Sequence, residues 1–185
     1  MARQSILCHR TEAVAHDVIG AQTHEKVLSM IVREFSASDA PAIVDLFQRS
    51  VRILGARDYT PAQVDAWAWR APSCAEVHER YSDGRLAIVV ANADGALLGF
   101  ADIEEDGHIG FFYRAPEAEG TGVAELMFQR LWSDAQGKGL ERVYLEASEA
   151  ARRFFLKQGF VETHRQELLI QSVPIHNYAM HKMLR

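Results

Sequence analysis

A glycine-containing loop is the part of this 185-residue chain best suited to binding an anion. Residues 109–128 read IGFFYRAPEAEGTGVAELMF, so an apolar strand stops near Pro116, and Gly120 and Gly122 then lead directly into an amphipathic helix. Glycines let the main chain approach a ligand closely, and a helix N-terminus directs N–H groups and partial positive charge at it. The loop therefore predicts a pyrophosphate cradle made mainly of main chain. An ordinary strand-to-helix turn can also hold two glycines, so the loop alone leaves both interpretations open.

The elements around the loop predict a mixed α/β domain. Apolar and β-branched runs predict strands at residues 31–35, 86–90, 97–103, 109–113, 143–147, 161–168 and 175–183. Helical spacing predicts helices through residue 49, from 61 to 67, from 122 to 136 and from 149 to 158. Thr60 as N-cap with Pro61 in the first turn is the best-marked helix start. The order β-α-α-β-β-β-α-β-α-β-β indicates a mostly antiparallel sheet with one parallel step around the central helix.

Composition restricts the classes of function. The chain is long enough for one α/β core, and no apolar run reaches the about 18 residues that a membrane-spanning helix needs. A net charge of −5 provides no electrostatic footprint for nucleic acid. Cys8 and Cys74 lack metal-type spacing, and the eight histidines are dispersed, so we expect no metal site, reduced thiols and a cytoplasmic protein.

The first 29 residues precede the first predicted strand and are treated as an N-terminal extension of a domain spanning residues 30–185. Three interpretations of the extension are open: a helix packed on the domain, a flexible leader, or translation from an upstream start with Met30 as the usual beginning.

The glycine loop resembles the acetyl-CoA loop of the GNAT superfamily of N-acetyltransferases, written Q/R-x-x-G-x-G/A. Gly122 and Ala124 match, whereas Glu119 stands where the family has Gln or Arg and could repel a pyrophosphate. Residues 148–160, SEAARRFFLKQGF, resemble the family segment N-x-x-A-x-x-F-Y-x-x-x-G-F. Within the superfamily, residues 59–68 and the Phe154-Phe155 pair resemble the bacterial YafP-type acetyltransferases.

This resemblance implies a GNAT fold, in which the fourth and fifth strands splay apart around acetyl-CoA as co-substrate. It also implies that a main-chain N–H near Phe112 or Tyr113 polarises the thioester carbonyl. Carried onto this sequence, the cofactor-binding residues are Phe112, Tyr113, Arg114, Glu119, Gly120, Thr121, Gly122, Val123, Ala124, Ser148 and Phe155.

The acceptor implied by the resemblance is an amine of a small molecule or peptide, which is protonated at neutral pH and must lose a proton before it attacks. Strand alternation lets only one of Glu104 and Glu105 face the cleft. Glu104 is the preferred base, and Glu146 is the next candidate. His108 is a further candidate or a surface turn residue. In such proteins a Tyr protonates the departing thiolate, but Phe155 replaces it here and leaves Tyr144 and Ser148 as the nearby hydroxyls.

Tyr59, Trp67 and Trp69 surround the second helix, which in this family borders the acceptor pocket. An aromatic wall suits an apolar or aromatic amine, although Trp67 shares a helix face with Val64 and fits core packing equally well. Two other functions stay open: a non-catalytic acyl-CoA-binding or sensing module, and a protein–protein module in which the glycine loop is only a turn. We expect a monomer or homodimer without nucleic-acid or membrane partners.

Overall fold

Two antiparallel sheets organise the computed structural model, which describes residues 30–184. The first contains β1 (Ile31–Glu34), β2 (Leu86–Ala91), β3 (Leu97–Ile103) and β4 (Phe112–Arg114) in that order. The second has β7 (Val173–Met183) between β5 (Arg142–Ala147) and β6 (Val161–Ile170). Residues 1–29, which are predicted to be an N-terminal extension and include Cys8, lie outside the described residues.

Five α-helices flank the sheets within the described residues: α1 (Ala40–Arg49), α2 (Pro61–Ala68), α3 (Cys74–Arg80), α4 (Val123–Gly137) and α5 (Glu149–Lys157). The predicted start of α2 is confirmed, because Thr60 Oγ1 accepts from Gln63 N and Gln63 Oε1 accepts from Thr60 N. Beyond α1 the chain continues through a π-helical turn, Ser50–Leu54, and a 3₁₀ turn, Gly55–Arg57. Among residues 30–184, no helix is both long enough and apolar enough to cross a bilayer.

The segment between β3 and α4 is hydrogen-bonded to β5 only at its start. Gly107 and Ile109 bond to Tyr144 of β5, through Tyr144 N to Gly107 O (3.0 Å) and Ile109 N to Tyr144 O (2.9 Å). On its other side the segment bonds to β3 and to the residue after it, through Glu104 N to His108 O (2.9 Å), Asp102 N to Phe111 O (3.0 Å) and the β3–β4 ladder. The two sheets therefore separate between β4 and β5, and the predicted mixed α/β architecture with splayed fourth and fifth strands is confirmed.

A buried carboxylate and its arginine partner hold this segment in place. Asp102 on β3 is fully buried and accepts two hydrogen bonds from Arg80, at 2.9 and 3.0 Å. It also accepts from Phe111 N at 3.3 Å, immediately before β4. A Cβ at Gly110 would lie 2.0 Å from Arg80 Nη2 and 2.9 Å from Asp102 Oδ1, so a side chain there would displace the ion pair. The bend into β4 thus rests on a carboxylate that both Arg80 and the main chain satisfy.

The sequence prediction differs from the structure in two elements. Helix α3 was not predicted, although Ser73 and Glu76 form a capping box in which each accepts from the other's main-chain N–H. Its periodicity is weak because only Val77 is buried. The fourth strand begins at Phe112 rather than at residue 109, because the regular ladder with β3 starts there, while Gly107 and Ile109 bond to β5.

Helix α4 packs directly on β3 at Gly99, and this contact positions the loop that leads into the helix. A Cβ at Gly99 would lie 2.8 Å from Val123 Cγ1 and 2.9 Å from Met127 Sδ. Val123 and Met127 are fully buried on α4. The absence of a side chain at residue 99 therefore sets how closely the helix N-terminus approaches the sheet.

We expect Gly99→Ala to lower the free energy of unfolding by about 1–3 kcal/mol, because the stiff Val123 side chain must move. The matched control is Gly137→Ala at the end of α4, where a Cβ would meet no atom within 4 Å. That variant should be neutral or gain up to about 1 kcal/mol. Urea denaturation measures both, and equal midpoints for the two variants would contradict the prediction.

Candidate functional site

A cleft of about 680 Å³ lies where β4 and β5 separate. Its walls come from the turns after α1, the residues around α2, strand β4, the loop before α4, the end of β5 and one face of α5. The volume is typical of a site for a small molecule or cofactor. The π-helical turn contributes Ser50, Val51 and Leu54 to this wall.

The predicted glycine loop borders the cleft at the N-terminus of α4. Gly120 and Gly122 adopt left-handed backbone conformations with φ of 71° and 87°, which glycine adopts without strain. Gly122 caps the helix, and Val123 and Ala124 of its first turn line the cleft. Because the first N–H groups of a helix have no partner within it, this edge of the cleft offers donors and partial positive charge to an anion.

Two arginines offset the charge of Glu119. Glu119 Oε1 accepts from Arg57 Nη1 at 2.8 Å and from Arg114 Nη2 at 3.0 Å. The hydrogen bond from Arg57 and the charge of Arg114 lower the pKa of Glu119 to about 2. Arg114 Nη1 is buried and, within residues 30–184, has no hydrogen-bond partner. Two guanidinium groups bind this one carboxylate, so Glu119 does not present an unpaired negative charge to the glycine loop.

Glu146 on β5 lines the cleft and contacts His108 behind it. The imidazole lies between two carboxylates, with Nε2 at 2.7 Å from Glu146 Oε2 and Nδ1 at 3.3 Å from Glu104 Oε1. The hydrogen bond to Glu146 is the largest influence on His108 and raises its pKa above 6.5, while burial opposes the shift. The same hydrogen bond lowers the pKa of Glu146.

Glu104 follows β3 and turns away from the cleft. Its Oε1 accepts from Arg85 Nη1 at 2.9 Å and lies 3.9 Å from Arg80 Nη2. The structure therefore places Glu104 behind His108, whereas Glu146 lines the cleft. The choice between them as base stays a prediction, and only Glu146 is positioned to contact a molecule in the cleft directly.

The predicted hydroxyl groups occupy different surroundings. Ser148 lines the cleft, and its Oγ caps α5 by accepting from Ala151 N at 3.3 Å. Tyr144 lies behind the cleft wall, where its hydroxyl donates to Asp106, and this hydrogen bond raises the pKa of Tyr144 to about 12. Phe155 is fully buried with its ring centroid 5.0 Å from that of Phe112.

Most of the remaining predicted cofactor-binding residues line the cleft, and one does not. Thr121 points its hydroxyl back to Ala118 O at 2.7 Å and does not line the cleft. The others lie at its surface: Phe112, Tyr113, Arg114, Glu119, Gly120, Gly122, Val123 and Ala124.

Tyr59 and Trp67 face the cleft, whereas Trp69 does not. The rings of Tyr59 and Trp67 meet edge to face with centroids 5.5 Å apart, and both residues line the cleft. Burial raises the pKa of Tyr59 to about 12. Trp69 is 68% exposed and lies outside the cleft lining.

Several residues that line the cleft are not among the predicted site residues, although Ala151 and Phe154 belong to the family-like segment at residues 148–160. One face of α5 contributes Ala150, Ala151, Phe154 and Lys157, whose helical spacing was the available signal. On the same helix, Arg153 makes a two-bond ion pair with Asp58, at 2.9 and 2.7 Å. No local pattern links residues 95 positions apart, so this pair could not be found without the fold.

Comparison with known proteins identifies the class of the domain. A family model described as an acetyltransferase (GNAT) domain matches residues 55–182, which is more than half of the chain. The chain therefore belongs to the GNAT acetyltransferase family, as predicted.

The curated relatives are N-acetyltransferases named as uncharacterized. One from Mycobacterium tuberculosis is 32% identical over 95 residues, which cover 48% of this chain and 61% of that protein. The match thus spans less than two thirds of that relative. YafP of Escherichia coli is 24% identical over 149 residues, covering 80% of this chain and 93% of YafP, which confirms the predicted likeness.

Solved structures share the fold. A GCN5-related N-acetyltransferase from Rhodopseudomonas palustris is 29% identical with a TM-score of 0.78, covering 84% of this chain and 96% of that one. The PaiA N-acetyltransferase from Thermoplasma acidophilum, solved in complex with coenzyme A, is 17% identical with a TM-score of 0.67. It covers 84% of this chain and 99% of that one.

The contact between Glu146 and His108 generates a prediction that needs no substrate. We expect the pKa of His108 to lie above 6.5, because the adjacent carboxylates favour the imidazolium, and to fall in Glu146→Gln. NMR titration of the imidazole signals measures it, with the His108 signal assigned by its loss in His108→Gln. The control is Glu105→Gln, which removes an exposed neighbouring carboxylate outside the hydrogen-bond contacts of His108 and should leave its titration unchanged. An unshifted His108 titration in Glu146→Gln would contradict the contact.

Proposed function

We propose that this protein transfers the acetyl group of acetyl-CoA to a primary amine of a small molecule or peptide by direct attack. The observation that carries the proposal is one cleft lined both by the N-terminus of α4, with its left-handed glycines, and by the carboxylate of Glu146. Membership of an acetyltransferase family supports the reaction class. The exposed thiol of Cys74 suits a reducing compartment, and we place the reaction in the cytoplasm.

The diphosphate of the co-substrate binds at the glycine loop. The region beside Gly120 is open, since a Cβ there would meet no atom within 4 Å. Arg114 provides a buried N–H that is unpaired within the described part of the chain. A phosphate oxygen supplies the charged acceptor that this group lacks. The coenzyme A complex of the PaiA relative, which has the same fold, supports an acyl-CoA ligand.

The thioester carbonyl is polarised by the N–H of Phe112. In the β3–β4 ladder Ala115 N donates to Leu98 O at 2.8 Å, so the N–H of Ala115 faces β3. Residues of an antiparallel ladder alternate in direction, which turns the N–H of Tyr113 towards β3 and that of Phe112 away from it, to the side of the cleft. One such main-chain donor to a developing oxyanion is worth about 3–4 kcal/mol.

Glu146 accepts the proton that the bound ammonium must lose. The neutral amine then attacks the thioester carbon, so a C–N bond forms and the C–S bond breaks. The nitrogen releases its second proton, and the thiolate gains one from Ser148 or solvent, since Phe155 has no proton to donate. The products are an amide and free coenzyme A.

Tyr59 and Trp67 form the aromatic part of the acceptor side. Their apolar surfaces favour an amine attached to an apolar or aromatic group. Trp69 is too exposed to contribute to an enclosed pocket.

Arg114→Gln should weaken coenzyme A binding about tenfold, because Glu119 would then face the diphosphate with only Arg57 to offset it. Isothermal titration calorimetry gives the dissociation constant. Arg52→Gln is the matched control, because Arg52 pairs with Asp65 on the surface and lies outside the cleft lining. Equal weakening in both variants would show that Arg114 has no specific contact with the ligand.

Glu146→Gln should lower kcat by about 10²–10⁴-fold, the usual contribution of a general base, and leave coenzyme A affinity nearly unchanged. The assay is thiol release from acetyl-CoA with tyramine, putrescine and a hexapeptide carrying a free N-terminus. If the wild-type protein binds coenzyme A without releasing thiol, a non-catalytic acyl-CoA-binding module is the better assignment. If it fails to bind coenzyme A at millimolar concentration, the glycine loop is only a turn.

A further inference from the structure

His108 contacts a carboxylate through each of its ring nitrogens. Nε2 faces Glu146 and Nδ1 faces Glu104, and a carboxylate oxygen can only accept a hydrogen bond. Only the imidazolium donates through both nitrogens, so the neutral ring must turn one lone pair towards an oxygen. Glu146 and His108 therefore exchange and titrate protons as one unit rather than as two independent groups.

We propose that His108 is a positioning residue that holds the proton removed from the amine, with Glu146 as the group that contacts the substrate and passes the proton on. The inference rests on the proposed acetyl transfer and adds to it the identity of the proton acceptor. His108 lies outside the cleft lining, whereas Glu146 lies within it, so the imidazole can act only through the carboxylate.

Glu146 paired with His108 is a better base than a carboxylate alone. A free Glu side chain has a pKa of about 4.3, far below the pKa of an amine, and proton transfer is most effective when the base titrates near the working pH. The contact with His108 lowers the pKa of Glu146 and raises that of His108. A proton that reaches Glu146 is therefore held more stably on the imidazole.

The surroundings of His108 keep the imidazole in place. Glu104 is held from behind by Arg85, and the Tyr144 ring stacks on the imidazole at a centroid distance of 5.0 Å. Asp106 accepts from His108 N at 3.1 Å. The charged and titratable groups that face the ring, or the groups it contacts, are Glu104, Asp106, Glu146, Tyr144, Arg80, Arg85, Asp102 and Arg142.

The protons balance over one turnover. The ammonium gives one proton through Glu146 to His108, and the nitrogen gives its second to the departing thiolate by way of the hydroxyl or solvent. His108 then returns its proton to water, for which the partly exposed Glu104 provides a route. Ammonium and thioester thus become amide, thiol and one released proton, and no other reactant is needed.

The test is the pH dependence of kcat at saturating acetyl-CoA and tyramine, or whichever of the three probe amines the wild-type protein acetylates. The pair accepts a proton only when His108 is neutral, so wild-type kcat should rise with pH through a value above 6.5. In His108→Gln this rising limb of the profile of kcat against pH should shift to lower pH by at least about one unit. At pH 8, kcat should fall about tenfold or more. Glu104→Gln should move the limb in the same direction by a smaller amount.

A structural role for His108 would lower kcat equally at every pH without moving the limb, and that result would overturn the inference. The matched control is His164→Gln on β6, an exposed histidine on the other sheet, which should leave the profile unchanged. If His108→Gln does not fold, Glu104→Gln decides, because an unshifted limb there also contradicts the relay. Failure of the wild-type protein to release thiol would instead overturn the proposed function itself.

Discussion

The end of hydrogen bonding to β5 after Ile109 is the constraint on which the rest of the site depends. Gly107 and Ile109 bond to β5, whereas from Phe111 to Ala115 the segment bonds to β3 and no longer to β5. A continuous ladder between β4 and β5 would consume the main-chain groups that now face the cleft. The buried pair of Asp102 with Arg80 holds the bend, and Gly110 leaves room for the guanidinium. The cleft, the main-chain N–H groups that face it and the start of α4 all follow from the separation of β4 and β5.

Charged residues near the cleft act in groups, and their neighbours decide what each can do. Glu119 would oppose an anion if it stood alone, yet Arg57 and Arg114 bind the same carboxylate oxygen and offset its charge. Likewise Glu146 would be an ordinary carboxylate without the imidazole of His108 against it. The group around Glu119 and the group around Glu146 therefore each combine residues of a sequence motif with residues outside that motif.

Much of the fold could be predicted because its elements have local causes. The capping box at Thr60 and Gln63 marks a helix start without reference to any distant contact, and alternating or apolar runs mark most strands. The missed helix α3 buries one residue, Val77, so it lacked the apolar period that reveals a helix. The fourth strand was placed too early because apolar residues at 109–111 look alike whether they bond to β5 or to β3.

The sequence by itself determined the family, the glycine loop before α4 and the candidate residues at the ends of the strands, since these rest on residue type and short spacing. The tertiary structure decided which candidates meet. Arg57 and Glu119 are 62 positions apart, and His108 and Glu146 are 38 apart. It also placed Glu104 behind the imidazole and Phe155 in the core. The reason is physical: periodicity fixes which face a side chain occupies, whereas strand pairing and helix packing fix what stands opposite that face.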